Sequence, residues 1–131
     1  MSKATQADLI ELDGLSGDHQ VTVYSSNTAP ASMQRNEELV LIAAEANIGS
    51  DNGAAVDYIN AVRQANGLAA YSGGMSDAEL EDELLYQRRY SLFGEGHRWI
   101  DLRRYNRLDE IPLDRAGDTV HTQFPRPASE N

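Results

Sequence analysis

The sequence predicts an all-α fold: two stacked helical hairpins, TPR-like in arrangement, with irregular termini. Three observations carry this. Apolar residues keep helical spacing through four separate segments, and glycine-containing breaks divide those segments into two pairs. The pairs begin about 40 residues apart, close to the repeat spacing of stacked helix pairs. No tetratricopeptide consensus residues stand at matching offsets, so the likeness is one of architecture. The organisation that follows is an irregular segment at 1–35, a helical domain at 36–110 and an extended tail at 111–131.

The segment 1–35 is rich in Ser, Thr, Gly and Asp and shows no sustained helical period. Val21-Thr22-Val23-Tyr24 suits one short strand, which would need a partner for its edge. Residues 4–12 suit a helical turn. The expectation is therefore loop with at most a strand or hairpin, ended by Pro30. The first helix runs from Asn36, a candidate cap, through Glu37-Glu38-Leu39-Val40-Leu41-Ile42-Ala43-Ala44-Glu45-Ala46-Asn47, with its acidic first turn favoured by the helix dipole. Apolar residues cover nearly every face, which predicts a helix sandwiched between other elements.

A turn at 49–53 leads to a second helix at 54–66, with Ala55, Ile59 and Val62 as its apolar stripe, Tyr58 and Ala65 alongside, and Asn66-Gly67 as its stop. Ser76-Asp77-Ala78-Glu79 forms a capping box that opens a third helix at 77–93. Gly94 and Gly96 break the pattern, and a fourth helix resumes at 97–106 with Trp99, Ile100, Leu102 and Tyr105. Beyond it, alternating prolines predict extended chain through Phe124-Pro125-Arg126-Pro127-Ala128-Ser129-Glu130.

Composition narrows the functional classes. The chain has 131 residues, enough for one domain with a modest core. Its formal net charge of -10 disfavours nucleic acid and anionic membrane surfaces as partners. It contains no cysteine, so disulfides and thiolate metal sites are excluded. No apolar stretch approaches the roughly 20 residues that span a bilayer. Residues 1–10 are polar and lack the apolar segment of a secretion signal, so the expectation is that nothing in this chain directs export.

Charged residues of 83–108, together with Glu45 and Arg63, read as an internal ion-pair network comprising Glu45, Arg63, Arg88, Arg89, Glu95, Arg98 and Asp101. Glu45 is either a catalytic or ligand-holding carboxylate or the partner of an arginine from the second hairpin. Several arginines are available, which favours the second reading, and Glu45→Ala is then expected to cost about 3 to 5 kcal/mol by stranding a buried charge. Glu95 and Asp101 could be a glycosidase-like carboxylate pair, but flanking arginines would lower both pKa values and remove the proton donor. They read instead as partners of Arg88, Arg89, Arg98 or Arg103. His97 lacks a second ligand at metal-binding spacing, with His19 and His121 in irregular segments, and takes a structural role. Trp99 is either a sugar-stacking platform or core, and its spacing with Leu102 and Tyr105 places it on the buried stripe. Tyr24, Tyr71 and Tyr105 are the other aromatics able to reach solvent.

The run Glu83-Leu84-Leu85-Tyr86-Gln87-Arg88-Arg89, followed by Phe93-Gly94-Glu95-Gly96-His97-Arg98-Trp99-Ile100-Asp101-Leu102-Arg103-Arg104, resembles the C-terminal signature of the SusD/RagB family. Those are outer-membrane glycan-binding lipoproteins of Bacteroidetes. Ala44-Glu45-Ala46 and Asn60-Ala61-Val62-Arg63-Gln64-Ala65-Asn66-Gly67-Leu68 extend the resemblance. In the tail, Arg126 replaces the apolar residue usual between the two prolines. The resemblance spans residues 35–130 and corresponds to the C-terminal portion of longer family members.

The resemblance implies a non-enzymatic protein without a cofactor, at the outer-membrane surface. It would capture oligosaccharide and pass it to a TonB-dependent transporter. Full-length relatives carry a lipoprotein signal and acylated cysteine, and neither is present in this sequence. Family glycan contacts come largely from loops outside the helical repeats, so the resemblance places no ligand-binding residue here. The alternative class is a stand-alone helical protein–protein interaction module, with homodimerisation through uncovered helix faces. A hydrolase built on Glu45 or Glu95 ranks below both.

Overall fold

The computed structural model describes residues 3–24, 26–124 and 126–130. Pro125, one of the alternating prolines of 124–130, lies outside the described residues. A β-hairpin of β1 (Ala4–Leu12) and β2 (Leu15–Val21) precedes four helices, α1 (Asn36–Asn47), α2 (Asn52–Ala65), α3 (Asp77–Ser91) and α4 (His97–Arg104). Short 3-10 turns follow at Leu108–Glu110 and Ala128–Glu130. The chain is thus mostly helical with a small antiparallel sheet, which corrects the all-α expectation.

The hairpin has a local cause. Asp13 and Gly14 join the strands, with φ of 54° and 77° at the two positions. Positive φ at both central residues is the geometry of a type I′ turn, whose twist matches that of paired strands. Residues 4–12 form a strand in place of the expected helical turn, and of Val21-Thr22-Val23-Tyr24 only Val21 belongs to a strand. Both strands are largely exposed, so no alternation of apolar and polar residues announced them. Register changes between Gln6 and Ile10, where β1 bulges against β2.

Leu41, Ala44, Ile59, Val62 and Leu84 form the core, flanked by Val40, Ile48, Tyr71 and Tyr105. Leu80, Leu85, Leu92 and Leu102 are also buried. The α2 stripe of Ala55, Ile59 and Val62 faces inward while Tyr58 is exposed. Asp51 accepts from the Ala54 amide to cap α2, and Ser76 and Glu79 complete their reciprocal cap on α3. Asn36 makes no cap: α1 starts from an extended Arg35 without a side-chain capping bond.

One face of α1 departs from the sandwich expected for it. Leu41 and Ala44 are buried, yet Leu39 and Ile42 remain exposed because no described element packs against that side. The tail also differs from uniform extension, since Ala128–Glu130 closes into a 3-10 turn.

Candidate functional site

The α3–α4 break organises the charged chemistry. At the C-terminus of α3, Lys3 Nζ donates to the carbonyl of Ser91 at 2.6 Å, and Arg35 Nη1 donates to the same carbonyl at 2.9 Å. Two cations therefore converge on one free acceptor at the negative end of the helix dipole. Both also bind the Glu95 carboxylate, Arg35 at 2.7 Å. Burial acts to raise the Glu95 pKa, but the hydrogen bonds from Lys3 and Arg35 outweigh it and hold the group below its usual range. The hairpin's first residues and the entry to α1 are thereby tied to the loop that ends α3.

This corrects the partners expected for Glu95: its cations come from the N-terminal segment and not from Arg88, Arg89, Arg98 or Arg103. The other members of the expected network separate into local pairs. Arg88 Nε donates to Asp101 Oδ2 at 2.7 Å between α3 and α4, with side chains only 6% and 5% exposed. Arg63 ties α2 to the loop that follows it and to α3, donating to the Ala69 carbonyl at 2.8 Å and to Glu83 at 2.6 Å. Arg98 meets Glu110 at 3.4 Å. Arg89 lies over the Tyr90 ring at 5.8 Å, and among the described residues no ion pair involves it.

Glu45 meets an arginine of the second hairpin, Arg104, which the expected network did not name, and its Nη2 donates to Oε2 at 3.1 Å. Arg104 also reaches Asp101 Oδ1 at 3.3 Å, linking this pair to the buried one. Burial raises the Glu45 pKa, and hydrogen bonds from Arg104 and Tyr105 more than reverse that, leaving it lowered. Burial together with Glu45 pushes the Tyr105 phenol up. Glu45 and Glu95 are thus held as anions, each saturated by cations. Neither arrangement supplies a general acid.

His97 Nε2 faces Glu38 at 3.9 Å, and both line a cleft of about 570 Å³ with Tyr24, Met33, Arg35 and Glu95. His19 pairs with neighbouring Asp18, and His121 contributes its backbone carbonyl to another contact. Among the described residues no cluster of His, Asp or Glu is arranged for a metal ion. Nor is any described helix long and apolar enough to cross a membrane.

The aromatic residues differ most from expectation. Trp99 leaves the buried stripe and turns to the tail, where its Nε1 donates to the His121 carbonyl at 2.9 Å. Its ring lies 4.6 Å from that of Phe124, tilted by 41°. The two border a second cleft of about 530 Å³. Tyr71 is half-buried and donates to the Gly74 carbonyl at 2.9 Å, Tyr105 packs on the core, and Tyr24 is exposed. Lys3, Arg35, Arg104 and Phe124 escaped sequence reasoning because their partners lie far away in the chain.

Four helices forming two hairpins, preceded by a β-hairpin and opened by two mixed clefts, make up a helical scaffold. The SusD family model, SusD_RagB, matches residues 12–130. A SusD-like protein of Formosa agariphila is 35% identical over 87 residues, covering 59% of this chain and 17% of that protein. The crystal structure of a SusD superfamily protein from Bacteroides vulgatus aligns with a TM-score of 0.58 at 28% identity, covering 69% of this chain and 21% of that one. The chain therefore belongs to the SusD/RagB family, and it spans about a fifth of the length of these two relatives.

Proposed function

We propose that this chain is the helical scaffold portion of a SusD-like nutrient-binding component at the outer-membrane surface. It acts with a TonB-dependent transporter, capturing oligosaccharide reversibly by stacking and hydrogen bonding, with no bond broken. The observation that carries this reading is the family match across residues 12–130. The electrostatics support binding over hydrolysis, since Glu45 and Glu95 are both held ionised by their cations. Isothermal titration calorimetry against a panel of oligosaccharides tests it: saturable heat with one sugar class supports the reading, and silence across the panel counts against it.

A second reading, a helical module that binds another protein or a second copy of itself, is favoured by the exposed Leu39 and Ile42 at helical spacing on α1. The mass in solution separates the two. A dimer that is silent toward every sugar supports the interaction module, whereas a monomer that binds sugar supports the first reading.

A further inference from the structure

We infer that the cleft between α4 and the C-terminal tail is a subsite for an uncharged pyranose ring, with Phe124 as its stacking platform. The inference rests on the glycan reading above and assigns it a location. It starts from exposure: Phe124 is 78% exposed, so its ring is open to solvent at the rim of the cleft. The ring is nevertheless held in place. Trp99 backs it at 4.6 Å, and Trp99 is itself anchored by its Nε1 bond to the His121 carbonyl and by Arg103, whose guanidinium lies 5.5 Å from the indole centroid. A backed aromatic ring presents its free face at little cost in side-chain entropy, because the supporting contacts exist before a ligand arrives.

The surroundings select the ligand class. Besides Phe124, the residues lining the cleft include Asp118, Thr119 and Gln123, with Leu113 among the apolar ones. Carboxylate, hydroxyl and amide groups match the hydroxyls of a sugar, and the phenyl face matches the axial C–H face of its ring. Among the described residues lining the cleft there is no Lys or Arg, and the whole chain carries a net charge of -10, so an anionic ligand is disfavoured. A purely apolar ligand would leave the three polar groups without water or partner. At about 530 Å³ the cleft falls within the range of small-ligand pockets.

Trp99 is the sole tryptophan, so its fluorescence reports on this cleft alone. The experiment titrates the chain with cellohexaose, xylohexaose and laminarihexaose, following tryptophan emission and heat together, with a galacturonate hexamer as the anionic control. The expected result is a saturable emission change with a neutral hexaose. Phe124→Ala should weaken that binding about tenfold, Phe124→Tyr should restore it, and the far-ultraviolet circular dichroism should stay unchanged. Saturable heat without an emission change, or with affinity indifferent to Phe124→Ala, overturns the subsite while leaving the glycan reading standing. Preference for the galacturonate overturns the uncharged-ring assignment. Silence in both signals overturns the subsite and the glycan reading of this chain together.

Discussion

Arg88 of α3 and Asp101 of α4 meet at 2.7 Å with both side chains buried, so one ion pair fastens the two helices of the second hairpin across the glycine break. Desolvating two charges is costly, and the pair holds only while both members are present. Asp101→Ala strands the Arg88 cation and should cost about 3 to 5 kcal/mol in urea unfolding. Adding Arg88→Met to that variant should recover a large part of the loss. If the double variant is as unstable as Asp101→Ala alone, the stranded charge is not the cause.

The Glu45–Arg104 pair should be worth much less. The Arg104 side chain is 45% exposed, so solvent screens the interaction. Glu45→Ala is expected to cost about 1 kcal/mol, below the figure for a stranded buried charge. The same unfolding measurement decides, and a loss above about 3 kcal/mol would restore the buried-charge description.

Acid should weaken the fold through Glu45 and Glu95. Both carboxyls have folded pKa values below the unfolded value of 4.5. Their contribution is present above that value and is lost as pH falls through the lower folded pKa values. Thermal midpoints should therefore decline below about pH 4.5, and Glu95→Gln should shallow the decline. An unchanged acid slope in Glu95→Gln would show that Lys3 and Arg35 do not hold this group ionised.

The two glycines of the break should differ. Both have positive φ, 77° at Gly94 and 81° at Gly96, so alanine is strained at each by about 1 to 2 kcal/mol. A Cβ on Gly94 would also come within 2.9 Å of Val23 Cγ2, whereas one on Gly96 meets nothing within 4 Å. Gly94→Ala should accordingly be the more destabilising. It should also loosen the chain around Val23, seen as faster amide exchange there. Equal costs at the two sites would mean that the Val23 contact yields freely.

Much of the helical scaffold was legible in the sequence because its signals are short-range. The Ser76 and Glu79 cap, the Ala55, Ile59 and Val62 stripe and the glycines at 94 and 96 each act within one or two helical turns. The β-hairpin also had a local signal, Asp13-Gly14, but its exposed strands lack the alternation that would have reinforced it.

By itself the sequence determined where helices start, stop and turn an apolar stripe, since backbone hydrogen bonding and side-chain periodicity are properties of neighbours in the chain. Only the tertiary structure decided which cation meets which carboxylate. Glu95 is met by Lys3 and Arg35 and Glu45 by Arg104, over separations of about 60 to 90 residues. It also decided that Trp99 leaves the core for Phe124 and that Leu39 and Ile42 stay exposed. Charge pairing and burial depend on distance in space, and many partners satisfy the same local chemistry until packing selects one.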